Sequence, residues 1–433
     1  MKTINRLFLL IPALILITSC EDKVQVRQTF NVPVYLTYDE LRVPVSSSQS
    51  VPLQKPGKIY IKDQFIFINE YLQGIHVIDN SDPAHPVNLT YLDIPGNVDM
   101  SVRDNILYAD SYVDLVALDI TDPANIRETG RAKNIFPYIL PTPDNDYAID
   151  YPEVDESKGL VLEWKLVTKT RDVDLEPYKP PYPYPYPFYK NEAYLMFESS
   201  GLSSGSNPGS HTGTGGSMAR FTIYKNWLYA LTDSDLRIIN ISDPQNMIKE
   251  NAIHPGNDQE TIFPYGDMIF LGSQTGMTIY RLTDPLNPQY VSSYSHIRSC
   301  DPVVVRNGYA YVTLRAGNHC GQGENRLRVI DVSFPVLPVE RGSYPLEYPP
   351  YGLAIHDSVL YVCEGGAGLK VYDASDPLHL VYKQTFGEFR AWDVIAYDDL
   401  LMMIGDDGLY QYRVESFDKI KQISSLPVAM TGR

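Results

Sequence analysis

The stretch "LRIINISDPQNMI", residues 236–248, is one of six near-copies of a single phrase. The others are "IHVIDNSDPAHPV" from Ile75, "LVALDITDPANI" from Leu115, "MTIYRLTDPLNPQYV" from Met277, "LRVIDVSFPVLPV" from Leu327 and "LKVYDASDPLHLV" from Leu369. A β-rich run precedes each phrase, as in "NILYAD", "NWLYALTD" and "SVLYVCE", and a short run such as "VNLTYLDI" or "LVYKQTF" follows it. Each unit therefore reads as four short strands. Ser or Thr before Asp-Pro is turn chemistry, because the acid or hydroxyl caps backbone N–H groups and proline presets φ. The Asp-Pro turn belongs between the third and the outermost strand.

The turn prolines Pro83, Pro123, Pro244, Pro285, Pro335 and Pro377 lie 40 to 50 residues apart, except that 121 separate Pro123 from Pro244. A four-stranded sheet cannot bury both faces alone, so a period of about 40 residues predicts sheets stacked around an axis. A first copy opens at "GKIYIKDQFIFINEYLQGIHVID", and a degenerate last copy, "DLLMMIGDDGLYQYRVESFDKIKQISSL", keeps its strands but has lost Asp-Pro. The expected fold is all-β, a seven-bladed β-propeller of four-stranded blades over residues 57–433, with an insertion between blades 2 and 3 at about 136–213.

The phrases "LRVIDVS" and "LRIINISDP" resemble the LVIVD-repeat family of bacterial β-propellers, over about residues 57–430 apart from the insertion. The resemblance implies a fold and an extracytoplasmic setting more than an activity.

The amino terminus, "MKTINRLFLLIPALILITSC", places Lys2 and Arg6 ahead of an apolar run from Leu7 to Ile17 and ends in Cys20. That is the form of a secretory signal, too short for a comfortable membrane span. Its closing "ITSC" resembles the lipobox of bacterial lipoproteins. The expectation is a signal peptide at 1–19, a lipid on Cys20 that ties the chain to a membrane, and a tether or edge strand over 20–56. The address is the bacterial cell envelope, at the outer membrane. The formal charge is −17. Loss of residues 1–19 removes Lys2 and Arg6 and no acid, which gives −19. No nucleic-acid partner is expected of so acidic a chain.

The insertion holds "LVLEWKLVTKT", read as part of a hairpin, then "KPPYPYPYPFYK", which favours polyproline II, then "SSGLSSGSNPGSHTGTGGS". Its "GTGG" lacks a following Lys-Ser/Thr, so it is not a phosphate loop.

Candidate ligand contacts come from register. Stepping nine residues back from each second-strand aromatic or its equivalent, or one residue further, collects Asp99, Arg220, Glu260, Asp301, Trp392 and Asp393 at one mouth of the channel, with Arg315 and Arg390 nearby. Carboxylates beside an arginine suit a cation, a sugar or a peptide terminus, or acid/base work. The competing reading is that such acids cap backbone amides in a wet channel. No catalytic signature, cofactor motif or metal module accompanies them.

Cys300 and Cys320 are expected to form a disulfide in an oxidising envelope. A zinc site with His296 and His319 is the alternative. Cys363 reads as a buried thiol, and Trp164, Trp227 and Trp392 as packing residues. The functional expectation is a binding module for an envelope protein or glycan. A carbohydrate-active enzyme and a structural envelope protein are the alternatives.

Overall fold

The computed structural model describes residues 23–150, 155–174, 214–217, 219–295, 302–316, 324–387 and 389–429. The chain divides into two compact units, Met1–Leu36 with Leu140–Tyr189 and Thr37–Ile139 with Lys190–Arg433.

The larger unit holds one six-stranded sheet and six four-stranded sheets, numbered first to seventh along the chain. In each, four strands run consecutively and antiparallel. The first strands are Pro56–Lys62, Met100–Arg103, Phe221–Tyr224, Gln259–Tyr265, Val303–Arg306, Leu353–His356 and Ala391–Tyr397. Each touches the first strand of the next sheet, and the seventh touches the first, so the first strands close a ring.

Burial follows distance from that ring. Second strands such as Phe65–Glu70 and Leu400–Gly405 are buried at all but one position, because both faces lie against neighbouring sheets. Outer strands such as Val381–Phe386 are half-buried or exposed. The near-continuous apolar runs of inner strands and the mixed outer ones are the sequence trace of this gradient. Tyr108, Tyr229, Tyr311 and Tyr361, the second-strand aromatics, are fully buried, and burial pushes their phenols well up.

The repeated phrase folds as a doubly capped turn between third and fourth strands. In "IDNSDP", Asp79 accepts from Ser81 N–H at 2.9 Å and Asp82 from Ala84 N–H at 3.1 Å. Asp373 and Asp376 do the same for Ser375 and Leu378, both at 3.0 Å.

The turn also holds the neighbouring sheet. The Tyr229 hydroxyl of the third sheet donates to Pro285 O in the fourth sheet's turn at 2.7 Å. Ser292 of the fourth donates to Pro335 O of the fifth at 2.5 Å, and Tyr344 of the fifth to Leu378 O of the sixth at 3.2 Å. Gln384 Nε2 of the sixth reaches Phe417 O of the seventh at 2.7 Å. Between the second and third sheets the Tyr108 hydroxyl donates to Ile241 O at 3.4 Å, and backbone meets backbone: a Cβ built on Gly130 would lie 2.1 Å from Pro244 O, so glycine leaves room for that approach. The ring closes where Ser424 of the seventh sheet donates to Pro83 O at 2.7 Å and the Gln411 and Asn80 side-chain amides pair at 2.7 and 2.9 Å.

Segment 37–56 completes the remaining junction. Ser47–Gln49 adds to the outer strand Val87–Asp93 of the first sheet, and Ser47 exchanges hydrogen bonds with Ile126 of the second. Arg42 pairs with the fully buried Asp114 at 2.8 Å.

The smaller unit is a ribbon in which Lys23–Leu36 runs antiparallel to Leu160–Asp174, with a bulge at Val34/Tyr35. Ala148–Ile149 pairs in parallel with Phe30 and Asn31. "LVLEWKLVTKT" is thus a strand, but its partner is the N-terminal segment and not a second arm of a local hairpin. Trp164 donates to Pro141 O at 2.7 Å within this unit.

If these turn-to-sheet contacts hold the ring, Gly130→Ala should lower unfolding free energy by about 1–3 kcal/mol, since the methyl must push a carbonyl aside. Ser292→Ala should cost about 1 kcal/mol. Gly387→Ala, where a Cβ meets only Ala367 O at 4.0 Å, should stay within about 0.5 kcal/mol of the parent in the same urea titrations.

Candidate functional site

Asp99 precedes the first strand of the second sheet, and both its oxygens are engaged. Oδ2 accepts from Lys58 Nζ of the first sheet at 2.8 Å and from Arg220 N–H of the third at 2.5 Å. Oδ1 accepts from Met100 N–H at 2.7 Å. Asp99 and Lys58 are both buried, so one carboxylate ties three sheets together. The Arg220 side chain is turned to its own sheet, with Nε donating to Leu231 O and a terminal nitrogen to Asp233, both at 3.1 Å.

Asp393 lies in the first strand of the seventh sheet and is fully buried. Its Oδ1 accepts from Val394 N–H at 2.7 Å, and its Oδ2 has no hydrogen-bond partner among the described residues. Burial pushes its pKa up to about 8, against a smaller opposing pull from Lys58. Gly352 is packed so closely that a Cβ there would lie 2.4 Å from Asp393 Oδ1. Asp110, which accepts from Asn97 Nδ2 and from the N–H groups of Val98 and Asp99, is likewise pushed up by burial to about 7.

The expected acidic mouth is therefore turned inward at Asp99 and Asp393. Asp99 is held by donors on two neighbouring sheets, which local register does not reveal, whereas Asp393 is capped by the N–H of the next residue. Glu260 is half-buried in Gln259–Tyr265. Asp301, Cys300, Cys320, His296, His319 and Cys20 lie outside the described residues. Cys363 is a buried free thiol.

The return from the insertion was not foreseen. Thr214–Gly215 pairs antiparallel with Tyr60 and Ile61 on the inner edge of the first sheet. Ser217 Oγ accepts from Leu353 N–H of the sixth sheet at 2.9 Å. Residues 214–217 are all buried. The free edge of a first strand faces the space the ring encloses, so this segment occupies that space. The only sequence signal was a run of small residues immediately before an inner strand.

Arg315, just after the second strand of the fifth sheet, Tyr351, before the first strand of the sixth, and Arg390 and Trp392, at the start of the first strand of the seventh, form one ladder. The Arg315 guanidinium sits 4.7 Å from the Tyr351 ring centroid. Tyr351 meets Trp392 edge-on at 4.5 Å, and Arg390 covers Trp392 at 5.1 Å. Trp392 Nε1 donates to Asp406, which also lies 3.9 Å from Arg390 Nε. A Cβ on Gly365 would come within 3.0 Å of Tyr351, so glycine leaves room for that ring. Arg315 is buried, Trp392 is half-buried and the Arg390 side chain is 53% exposed. The ladder thus presents one guanidinium and part of one indole to solvent, beside the exposed Tyr348. Guanidinium suits carboxylates and aromatic faces suit cations or sugar rings.

Residues 215–251 and 297–345 match the LVIVD repeat. The chain carries LVIVD repeats. Both matches include a turn described above, around Asp243-Pro244 and Phe334-Pro335. No curated protein matches the sequence. Among solved structures, the chain is similar to the periplasmic gluconolactonase of Pseudomonas aeruginosa at 9% identity, covering 93% of this chain and 97% of that one, with a TM-score of 0.53. It is also similar to a protein from Lactobacillus plantarum at 10% identity, covering 94% and 97%, with a TM-score of 0.50. These likenesses concern the fold: LVIVD repeats on an all-β, propeller-like architecture.

Asp393 yields a pH prediction. Its folded pKa of about 8 lies above the ordinary 3.8, so the folded chain holds a proton that the unfolded chain releases. Stability through this group is then greatest near pH 4, falls as pH rises towards 8 and levels off above it. Asp393→Asn removes the titration. Its melting temperature should approach that of the parent at pH 5 and exceed it by a widening margin at pH 7 and 9.

Proposed function

We propose that the chain is a seven-bladed propeller of the bacterial cell envelope, held at the outer membrane by lipid on Cys20, and that it works as a binding module for an envelope protein or glycan. The blade count is supported by the cyclic contacts of the first strands. The lipid and the address rest on the amino-terminal sequence, with Lys2 and Arg6 before the apolar run and "ITSC" at its end.

The observation that carries the binding reading is a contrast between spent and available groups. Asp99 and Asp393 are buried and bonded to backbone N–H groups, whereas Arg390 and Trp392 reach solvent at the same end of the inner strands. Recognition is assigned to that open end of the ladder. Its rings and guanidinia are already packed together, so little side-chain freedom is lost on engagement.

The rival reading, a carbohydrate-active enzyme, needs two carboxylates free to flank a substrate. Asp99 and Asp393 do not offer that pair. The likeness to a gluconolactonase, at 9% identity, bears on the fold and lends no lactone site. A purely structural envelope protein would retain nothing through Arg390 and Trp392.

Two measurements test the proposal. Cys20→Ser should move the protein from the membrane to the soluble fraction and abolish incorporation of labelled fatty acid; label retained by the variant would remove the anchor from the proposal. Trp392→Ala with Arg390→Ala should weaken retention on immobilised envelope glycans and proteins by about tenfold, the scale of one lost aromatic or cationic anchor. Equal retention by variant and parent would place recognition elsewhere.

A further inference from the structure

Five of the six repeated turns share one chemistry. Asp82, Asp122, Asp243, Asp284 and Asp376 each accept from the N–H two residues on. The residue three places on is polar in all five: His85, Asn125, Asn246, Asn287 and His379. In three of them it bonds back to the aspartate, as His85 does at 2.8 Å, Asn287 at 2.7 Å and His379 at 2.8 Å.

The fifth sheet's turn departs at both positions and keeps the backbone. Phe334 stands where the others have aspartate and Leu337 where they have asparagine or histidine. Leu337 N–H still donates to Phe334 O at 2.9 Å, as His85 N–H does to Asp82 O. Pro335 O is still gripped by Ser292. The turn keeps its first cap, Asp331 accepting from Ser333 N–H at 3.1 Å, but has given up the second, and the replacements do not pack inward: Phe334 is 68% exposed, Val336 55% and Leu337 66%. A lost cap costs stability, and exposing Phe and Leu regains nothing within the fold.

We infer that the Phe334–Val336–Leu337 tip is a docking knob for a partner protein that offers an apolar socket. The three side chains expose roughly 300 Å² of apolar surface, well short of the ~800 Å² per partner that a stable interface between flat faces buries. An aromatic anchor inserted into a concave pocket gains more per unit area, and the backbone of this knob is already held by Leu337 N–H to Phe334 O and by Ser292 to Pro335 O. A bilayer is the poorer match. Surface-binding segments carry Lys and Arg beside their apolar residues. Beside the tip Asp331 and Glu340 are paired with Arg341 and Arg328, both at 3.0 Å, so the charges at its base are balanced, while the neighbouring turns display the exposed Asp284 and Asp376. A socket with a basic rim answers the apolar tip and the acidic turns on either side of it.

The test uses the full chain in the organism that makes it, with a photo-crosslinking residue at position 336. The companion variant Phe334→Asp/Leu337→Asn restores the chemistry of the other five turns and should fold at least as well as the parent. A control chain carries the crosslinker at position 378, in the sixth sheet's turn. The expected result is one adduct with a different protein, about tenfold weaker in the companion variant and absent from the control. An adduct of two copies of this chain overturns the inference. So does an adduct unchanged in the companion variant or shared with the control, and so does no adduct. Sedimentation of the parent but not the companion with 3:1 phosphatidylcholine–phosphatidylglycerol vesicles would assign the knob to a bilayer instead.

Discussion

The larger unit depends on a carbonyl oxygen being gripped by the sheet before it. Each sheet is local in sequence and could form its own ladder, but a lone four-stranded sheet with two apolar faces is not stable in water. What makes sheets into a ring is that the turn of one presents Pro285, Pro335 or Leu378 O to a hydroxyl of its predecessor. Aspartate caps hold that turn in shape, and proline fixes its entry. The repeated phrase is therefore a joint between sheets as much as a turn within one. Where the phrase is missing, in the seventh sheet, Gln384 to Phe417 O supplies the joint by other means.

The inner end of the ring shows the same economy applied to charge. One lysine, Lys58, sits beside Asp99 and within electrostatic reach of Asp393. Three ionised acids around one ammonium, out of water, would be costly, and burial instead drives Asp393 and Asp110 towards their neutral forms. Residues 214–217 are buried against the first and sixth sheets, whereas Arg390, at the end of the ladder, keeps its side chain in solvent.

Much of this was legible in the sequence, because strands buried on two faces, capped turns and a period near forty residues are all local patterns. The six phrases located the turns between the third and fourth strands, but not their role in joining one sheet to the next. What was hidden depended on which distant residue supplies a partner. Leu160–Asp174 reads as a strand from its own composition, but nothing in it names Lys23–Leu36 as its mate. Asp99 was identified as a residue at an inner strand end, yet its direction is set by Lys58 and Arg220 N–H on other sheets. Thr214 to Ser217 look like the tail of a low-complexity run and become buried only because two inner strands offer them hydrogen bonds.

The contact between Asn80 and Gln411 has a consequence in time. These side chains are 331 residues apart in the chain, yet they close the ring. Every other joint can form as soon as the next sheet has been made, whereas this one must wait for the last. Until then the apolar faces of the first sheet, with Ile66, Phe67 and Ile68, have no neighbour on one side. The growing chain is thus an open arc with a sticky leading edge, and its exposure to misassembly lasts as long as its synthesis.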